Sequence, residues 1–200
     1  MTDSDVQTLP AELPVLPLRR TVAFPLTLQP LAVNRPVSME SVNRALGADR
    51  LVFLVLQRSD ADEPEPADLH EVGTVGVIRQ MAKVGSGINI IIEGTARAMA
   101  TQITRSGTTM RAQITAAPEL PERTIEVEAH VRRIHDLIDK ALSLATGLSE
   151  ELRGVVMNID DPLRLVYILA TLIDMKAEDK QALLEENALL KKLQTVEDRK

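Results

Sequence analysis

The sequence predicts an α+β protein, a β-rich N-terminal lobe followed by an α-helical bundle lobe. Three observations carry that reading. Apolar residues recur with period two, punctuated by turn residues, up to about residue 116. They recur with helical period from Thr124 onward. A proline-containing stretch, AAPELPERT at 116–124, separates the two regimes. The expected organisation is a disordered N-terminus over 1–12, a β-rich lobe over 13–117, a linker over 118–123 and a helical lobe over 124–200.

The β-rich lobe opens with LPVLPLRRTVAFPLTLQPL, in which apolar residues alternate with Pro14, Pro17, Pro25 and Pro30. Proline lacks a backbone donor, so Leu13–Leu18 and Leu26–Val33 are expected as strands at edges or bulges. Ser38 is placed to cap a short helix, MESVNRAL, that Gly47 closes. Leu51–Gln57 is apolar on both faces, as in a buried central strand. Arg58–His70 reads as an acidic surface loop. EVGTVGVIRQMAKV and INIIIEG flank a hairpin turn at Gly85-Ser86-Gly87, and ARAMATQI and TMRAQITA flank a second at Ser106-Gly107. About six strands and one short helix imply a small, partly closed β-structure.

In the helical lobe Thr124 is an expected N-cap. Val127, Val131, Ile134, Ile138, Ala141 and Ala145 form its first apolar stripe, and Gly147 its end. Ser149 is expected to cap a short second helix, and Asp161-Pro162 to start a third. From Glu178 no Gly or Pro interrupts the chain, which predicts one long terminal helix. Its apolar side would include Leu190, Leu193 and Val196, a candidate oligomer or interdomain contact.

Composition narrows the function. With 44% hydrophobic residues, 200 residues suffice to bury roughly 70% of the unfolded surface. Cysteine is absent, which excludes disulfides and thiolate metal sites. The polar, acidic start is no secretory signal and no apolar run reaches the ~18 residues of a membrane span, so a cytoplasmic, membrane-free protein is expected. Residues 1–116 carry 11 basic and 12 acidic side chains and 117–200 carry 12 and 17, so neither half presents the basic cluster that nucleic acid requires.

No motif supplies chemistry. A Walker-type loop needs Gly-Lys, and that pair does not occur. His130 and His135 lie about 140° apart around a helix and cannot share a metal on one face. A set of His70, Asp68 and Glu71 is conceivable as a metal site but reads more simply as solvated loop chemistry, so no metal is expected. Glu63 and Glu65 lie in the exposed loop, which is no place for a catalytic pair, and the serines fall at turns and caps. Function is expected in a surface. Phe24, Leu26 and Leu28 fall where a regular ladder is least favoured; they either pack into the core or form a mobile apolar rim, and in the second case they and Met81 are the candidate contacts for an extended client chain.

Leu13-Pro-Val-Leu-Pro-Leu-Arg19, Phe24-Pro25, Pro30-Leu31, Leu54-Val-Leu-Gln-Arg58, Asp68-Leu-His-Glu-Val-Gly-Thr74, Glu93-Gly94, Asp161-Pro162 and Asp179-Lys-Gln-Ala-Leu-Leu-Glu185 together resemble the N-terminal region of the bacterial Lon ATP-dependent proteases. The resemblance covers residues 10–197. Arg20, Asn34, His70 and Lys176 depart from the family's usual residues, at turns and on the surface. The resemblance implies a PUA-like first lobe and a terminal helix running toward an ATPase module. It further implies recognition of unfolded or damaged proteins and self-association in a hexameric parent, an ATP-dependent serine endopeptidase. ATP, magnesium and the Ser-Lys dyad would belong to modules outside these residues, leaving this chain with no cofactor and no catalytic residue. The alternative is a mainly structural module that tethers protomers while clients are captured elsewhere.

Overall fold

A computed structural model describes residues 9–144 and 150–199. The chain forms two compact units, 1–118 and 119–200.

The first unit holds β1 (Glu12–Leu18), β2 (Leu28–Val33), α1 (Pro36–Leu46), β3 (Leu51–Leu56), a single 3-10 turn (Pro66–Asp68), β4 (Val72–Val84), β5 (Gly87–Ser106) and β6 (Thr109–Ala116). The strands lie in the order β2-β5-β4-β3-β1-β6, and β5 pairs β6 as well, so five strands close into a ring with β2 appended to β5. β1 and β3 run parallel, and the other pairings are antiparallel. Both faces of β1 and β3 are buried. Leu13, Val15, Phe53 and Val55 join one apolar cluster, and Leu16, Leu18, Val52 and Leu54 join another that α1 caps with Val42 and Ala45. Ser41 in α1 donates to the Val15 carbonyl at 2.5 Å, and Arg35 donates to the Pro17 carbonyl at 2.6 Å. These side chains satisfy carbonyls of β1 beyond Pro14, where β3 pairs the strand but β6 no longer does.

Four sequence expectations change. Residues 9–12 are ordered, since Leu9 packs on the core, Ala11 accepts from Ile114 at 3.0 Å and Glu12 pairs with Gln113; residues 1–8 lie outside the description. α1 starts at Pro36 with Arg35 at its N-cap, because proline at the first helical position fixes the start two residues before Ser38. β2 starts at Leu28, since Pro25 and Leu26 form a turn. INIIIEG and ARAMATQI are one bent strand rather than two. Gly94 lies inside that strand because a Cβ there would meet the Phe24 carbonyl at 2.1 Å. Both hairpins use a two-residue turn with glycine first, Gly85 at φ 59 and Gly107 at φ 62, the pattern of a type II′ turn. The acidic loop is fastened: Arg19 meets Asp62 at 2.6 Å, and Arg105 holds Glu65 at 3.2 Å and Glu63 at 3.6 Å. Asp68 caps the 3-10 turn, accepting from Glu65 at 2.8 Å.

The second unit holds α2 (Ile125–Leu144), α3 (Glu150–Met157), α4 (Pro162–Leu172), α5 (Ala177–Glu185) and α6 (Leu189–Glu197). Thr124 accepts from the Val127 amide at 3.2 Å, and Asp161 from Leu163 at 3.0 Å. Ala145, Gly147 and Ser149 lie outside the described residues. The expected linker is anchored. Glu119 accepts from the Tyr167 hydroxyl at 2.5 Å and from Lys192 Nζ at 2.5 Å, and Lys192, 1% exposed, also lies 4.7 Å from the Tyr167 ring centre. The terminal helix is two helices. At the break the Glu186 carboxylate accepts from the Ala188 amide at 2.9 Å, which holds Glu186 below the usual carboxylate range. Leu193 and Val196 are buried within this unit and Leu190 is half-buried, so the expected contact side of the helix is its inward side. Leu189, Leu193 and Val196 recur at the spacing that one helix face presents to its own core. α6 is further fixed by Glu197, which pairs with His130 and, at 2.7 Å, with Arg133; the Arg133 hydrogen bond, then that of His130, lowers the Glu197 pKa.

Candidate functional site

The exposed apolar side chains of the first unit, Met99 apart, gather on or just before a three-stranded ribbon made by β2, β5 and the outer part of β4. Its register sets Pro30, Ile91 and Gln80 in one row and Ala32, Asn89 and Ala82 in the next. Alternation divides the faces. Ile88, Ile90 and Ile92 point into the core, while Asn89 and Ile91 point outward. The small side chains of Pro30, Ala32 and Ala82 leave a trough of about 480 Å³ beside Ile91. Leu28 is 64% exposed and Val84 56%, and Met81 projects at the open side of the ribbon. Arg79 and Glu93 bridge at 2.5 Å along the same ribbon.

The turn before β2 is rigid. The Leu26 amide donates to the Gly94 carbonyl at 2.9 Å, and the Gly94 amide donates to Thr27 at 2.9 Å. Thr27 Oγ1 donates to the Phe24 carbonyl at 2.7 Å, and Thr74 Oγ1 to that of Ala23 at 2.7 Å. Pro25 and Leu26 occupy the centre of the turn, with Leu26 at φ 63, a conformation usually left to glycine. Holding a leucine there costs of order 1–3 kcal/mol, and the effect is to keep an apolar side chain partly exposed at a fixed place.

Among the four candidate contacts, Leu26, Leu28 and Met81 are exposed and Phe24 is not: it is 0% exposed and belongs to the core. Phe24 therefore holds the turn from beneath and offers no contact to a partner. The hydrogen bonds around it hold Leu26 in place at the surface. Sequence reasoning passed over Ile91 and Val84. Ile91 sits in an unbroken isoleucine run whose two faces look alike in sequence.

The second unit has a cavity of about 380 Å³ walled by Glu119 and Lys192 and rimmed by Glu122, Arg123, Asp160 and Asp161. Its lining mixes these charged groups with Leu120, Leu163 and Leu189, whereas no charged residue lines the ribbon's trough, so it suits an extended apolar chain less well than the ribbon does. Among the described residues no group of three or more His, Asp or Glu is arranged to hold a metal. None of the described helices is long and apolar enough to cross a membrane.

The family model of the ATP-dependent protease La (LON) substrate-binding domain matches residues 12–198. The chain belongs to this family. The Lon substrate-binding domain assignment is matched by curated relatives. It is 34% identical over 194 residues to the Lon protease of Geobacter metallireducens, covering 95% of this chain and 24% of that protein. It is 36% identical over 177 residues to the Lon protease of Xanthomonas oryzae pv. oryzae, covering 87% of this chain and 21% of that protein. The chain thus spans about a quarter of the length of the curated relatives it matches. In fold it is similar to the N-terminal domain of Mycobacterium avium complex Lon protease, with a TM-score of 0.75, 18% identity and coverage of 94% of this chain and 96% of that one. The Lon N-terminal domain protein from Xanthomonas campestris is also similar, at a TM-score of 0.65 and 16% identity.

Proposed function

We infer that this Lon substrate-binding domain captures unfolded or damaged proteins for an ATP-dependent protease, by laying their apolar segments along the β2–β5–β4 ribbon. The observation that carries this reading is the set of exposed apolar side chains, Leu26, Leu28, Val84 and Ile91, that one hydrogen-bonded ribbon and its entry turn present. Rigid presentation matters because a flexible client already loses much conformational entropy on binding, and a fixed surface adds no loss of its own. Single-site affinity would be weak, and a hexameric parent in the cytoplasm would multiply it through avidity. The peptidase and its ATP and magnesium belong, in this reading, to other parts of the parent. No Gly-Lys pair here offers a phosphate cradle.

The tethering alternative retains one specific support. Ile125 and Leu144, at the two ends of α2, are each 84% exposed, apolar side chains left available to a neighbouring module. Titrating the chain with a reduced, carboxymethylated protein and with the same protein in native form separates the readings. Client capture requires binding of the unfolded form alone. Binding of neither form, even after the chain is displayed on a multivalent bead, leaves tethering as the function.

A further inference from the structure

The ribbon has two unpaired edges, and they are not alike. In a two-residue hairpin the residues that flank the turn bond each other, so Val84, Ala82 and Gln80 direct their backbone groups toward β5. Met81 and Lys83 then direct theirs away from it. β3 pairs β4 only over Thr74–Val77, so among the described residues no strand meets β4 from Arg79 to Val84. The same parity carried across β5 turns Pro30 outward on β2, where its missing N–H faces no partner. The β2 edge is therefore closed to a further strand by proline, and the β4 edge is open.

We propose that the β4 edge from Arg79 to Val84 receives an extended segment of a client as an added strand, with an acidic client side chain beside Lys83. This rests on the client-binding reading above and specifies its geometry. Strand addition matches a substrate class without a common sequence, because the backbone supplies the hydrogen bonds whatever the side chains are. Gln80, Met81 and Ala82 line both the edge and the trough, so an added strand can set alternate side chains toward the apolar surface. The charges choose the occupant. Lys83 is exposed and has no ion-pair partner among the described residues. A second copy pairing antiparallel about Lys83 would set that lysine against its own copy, like charge against like, which disfavours self-pairing there. An acidic residue in a client meets attraction at the same place.

The test is amide hydrogen exchange by NMR on the whole chain. The probe is a ten-residue peptide of alternating valine and threonine with one central glutamate, together with the reduced, carboxymethylated protein. Strand addition predicts that saturating peptide slows exchange of the Met81 and Lys83 amides at least tenfold. It also predicts that N-methylating the four central peptide residues weakens binding at least tenfold, and that changing the glutamate to lysine weakens it severalfold at low salt. Peptide binding with both amides still unprotected and no N-methyl effect overturns strand addition and leaves client capture standing. No binding of peptide or unfolded protein overturns both. Concentration-dependent protection of the two amides without peptide assigns the edge to a second copy and overturns the proposal.

Discussion

The β2–β5–β4 ribbon and α6 place apolar residues of similar sequence character in opposite ways, although other helices of the second unit leave Ile125, Leu144 and Val155 exposed. In the sheet unit Leu28, Val84 and Ile91 face outward from a ribbon whose other face is core. In the helical unit Leu189, Leu193 and Val196 face inward, and even a lysine and a glutamate are taken out of water, at 1% and 7% side-chain exposure. A strand in an open ribbon has two faces and only one core to bury against. A short helix in a bundle can turn its single apolar side wholly inward. Exposure here follows from topology, and composition does not reveal it.

Several substitutions would break or sharpen this contrast. Phe24→Ala and Lys192→Ala are expected to be the most damaging, each by roughly 3–5 kcal/mol, the first through a core cavity and the second by leaving the Glu119 carboxylate buried without its cation. Urea unfolding followed separately in each unit would show which transition moves. Replacing Lys192 with Met and Glu119 with Gln together should restore much of the loss, since neither substitute leaves a charge buried without its partner. Leu26→Gly should act in the opposite sense, stabilising the sheet unit by about 1 kcal/mol through relief of the left-handed strain while weakening client binding. A rise in thermal midpoint with reduced affinity is the expected pair of readings.

A smaller effect is expected from pH. Glu197 has a lowered folded pKa, so its pairing with Arg133 and His130 stabilises the helical unit above the ordinary carboxylate pKa and is lost as pH falls through the folded value. Thermal midpoints measured from pH 6 downward should fall less steeply for Glu197→Gln than for the parent chain. Leu28→Ser should change stability least, within about 0.5 kcal/mol.

Much of the fold was legible in the sequence, because strong local signals agreed with the tertiary outcome. Gly85 and Gly107 marked their turns, Asp161-Pro162 and Thr124 marked helix starts, and the two-faced apolar run of β3 marked a buried strand. The break at Glu186–Ala188 was not legible, since Glu-Asn-Ala carries no breaker and the local bond from Ala188 to Glu186 appears only in three dimensions. Nor was the division of the site. Phe24 and Leu26 stand two residues apart in a greasy segment, yet the left-handed turn at Leu26 leaves one sealed and the other partly exposed. Ile91 was hidden for a related reason. Three consecutive isoleucines carry no alternation in sequence, and only the pleat tells the outward one from its neighbours.

The most direct check of the account is the affinity of the Leu28→Ser/Ile91→Ser double variant for an unfolded protein, measured beside its thermal midpoint. The account predicts a loss of at least tenfold in affinity with the midpoint nearly unchanged. Full affinity in a folded double variant would contradict it.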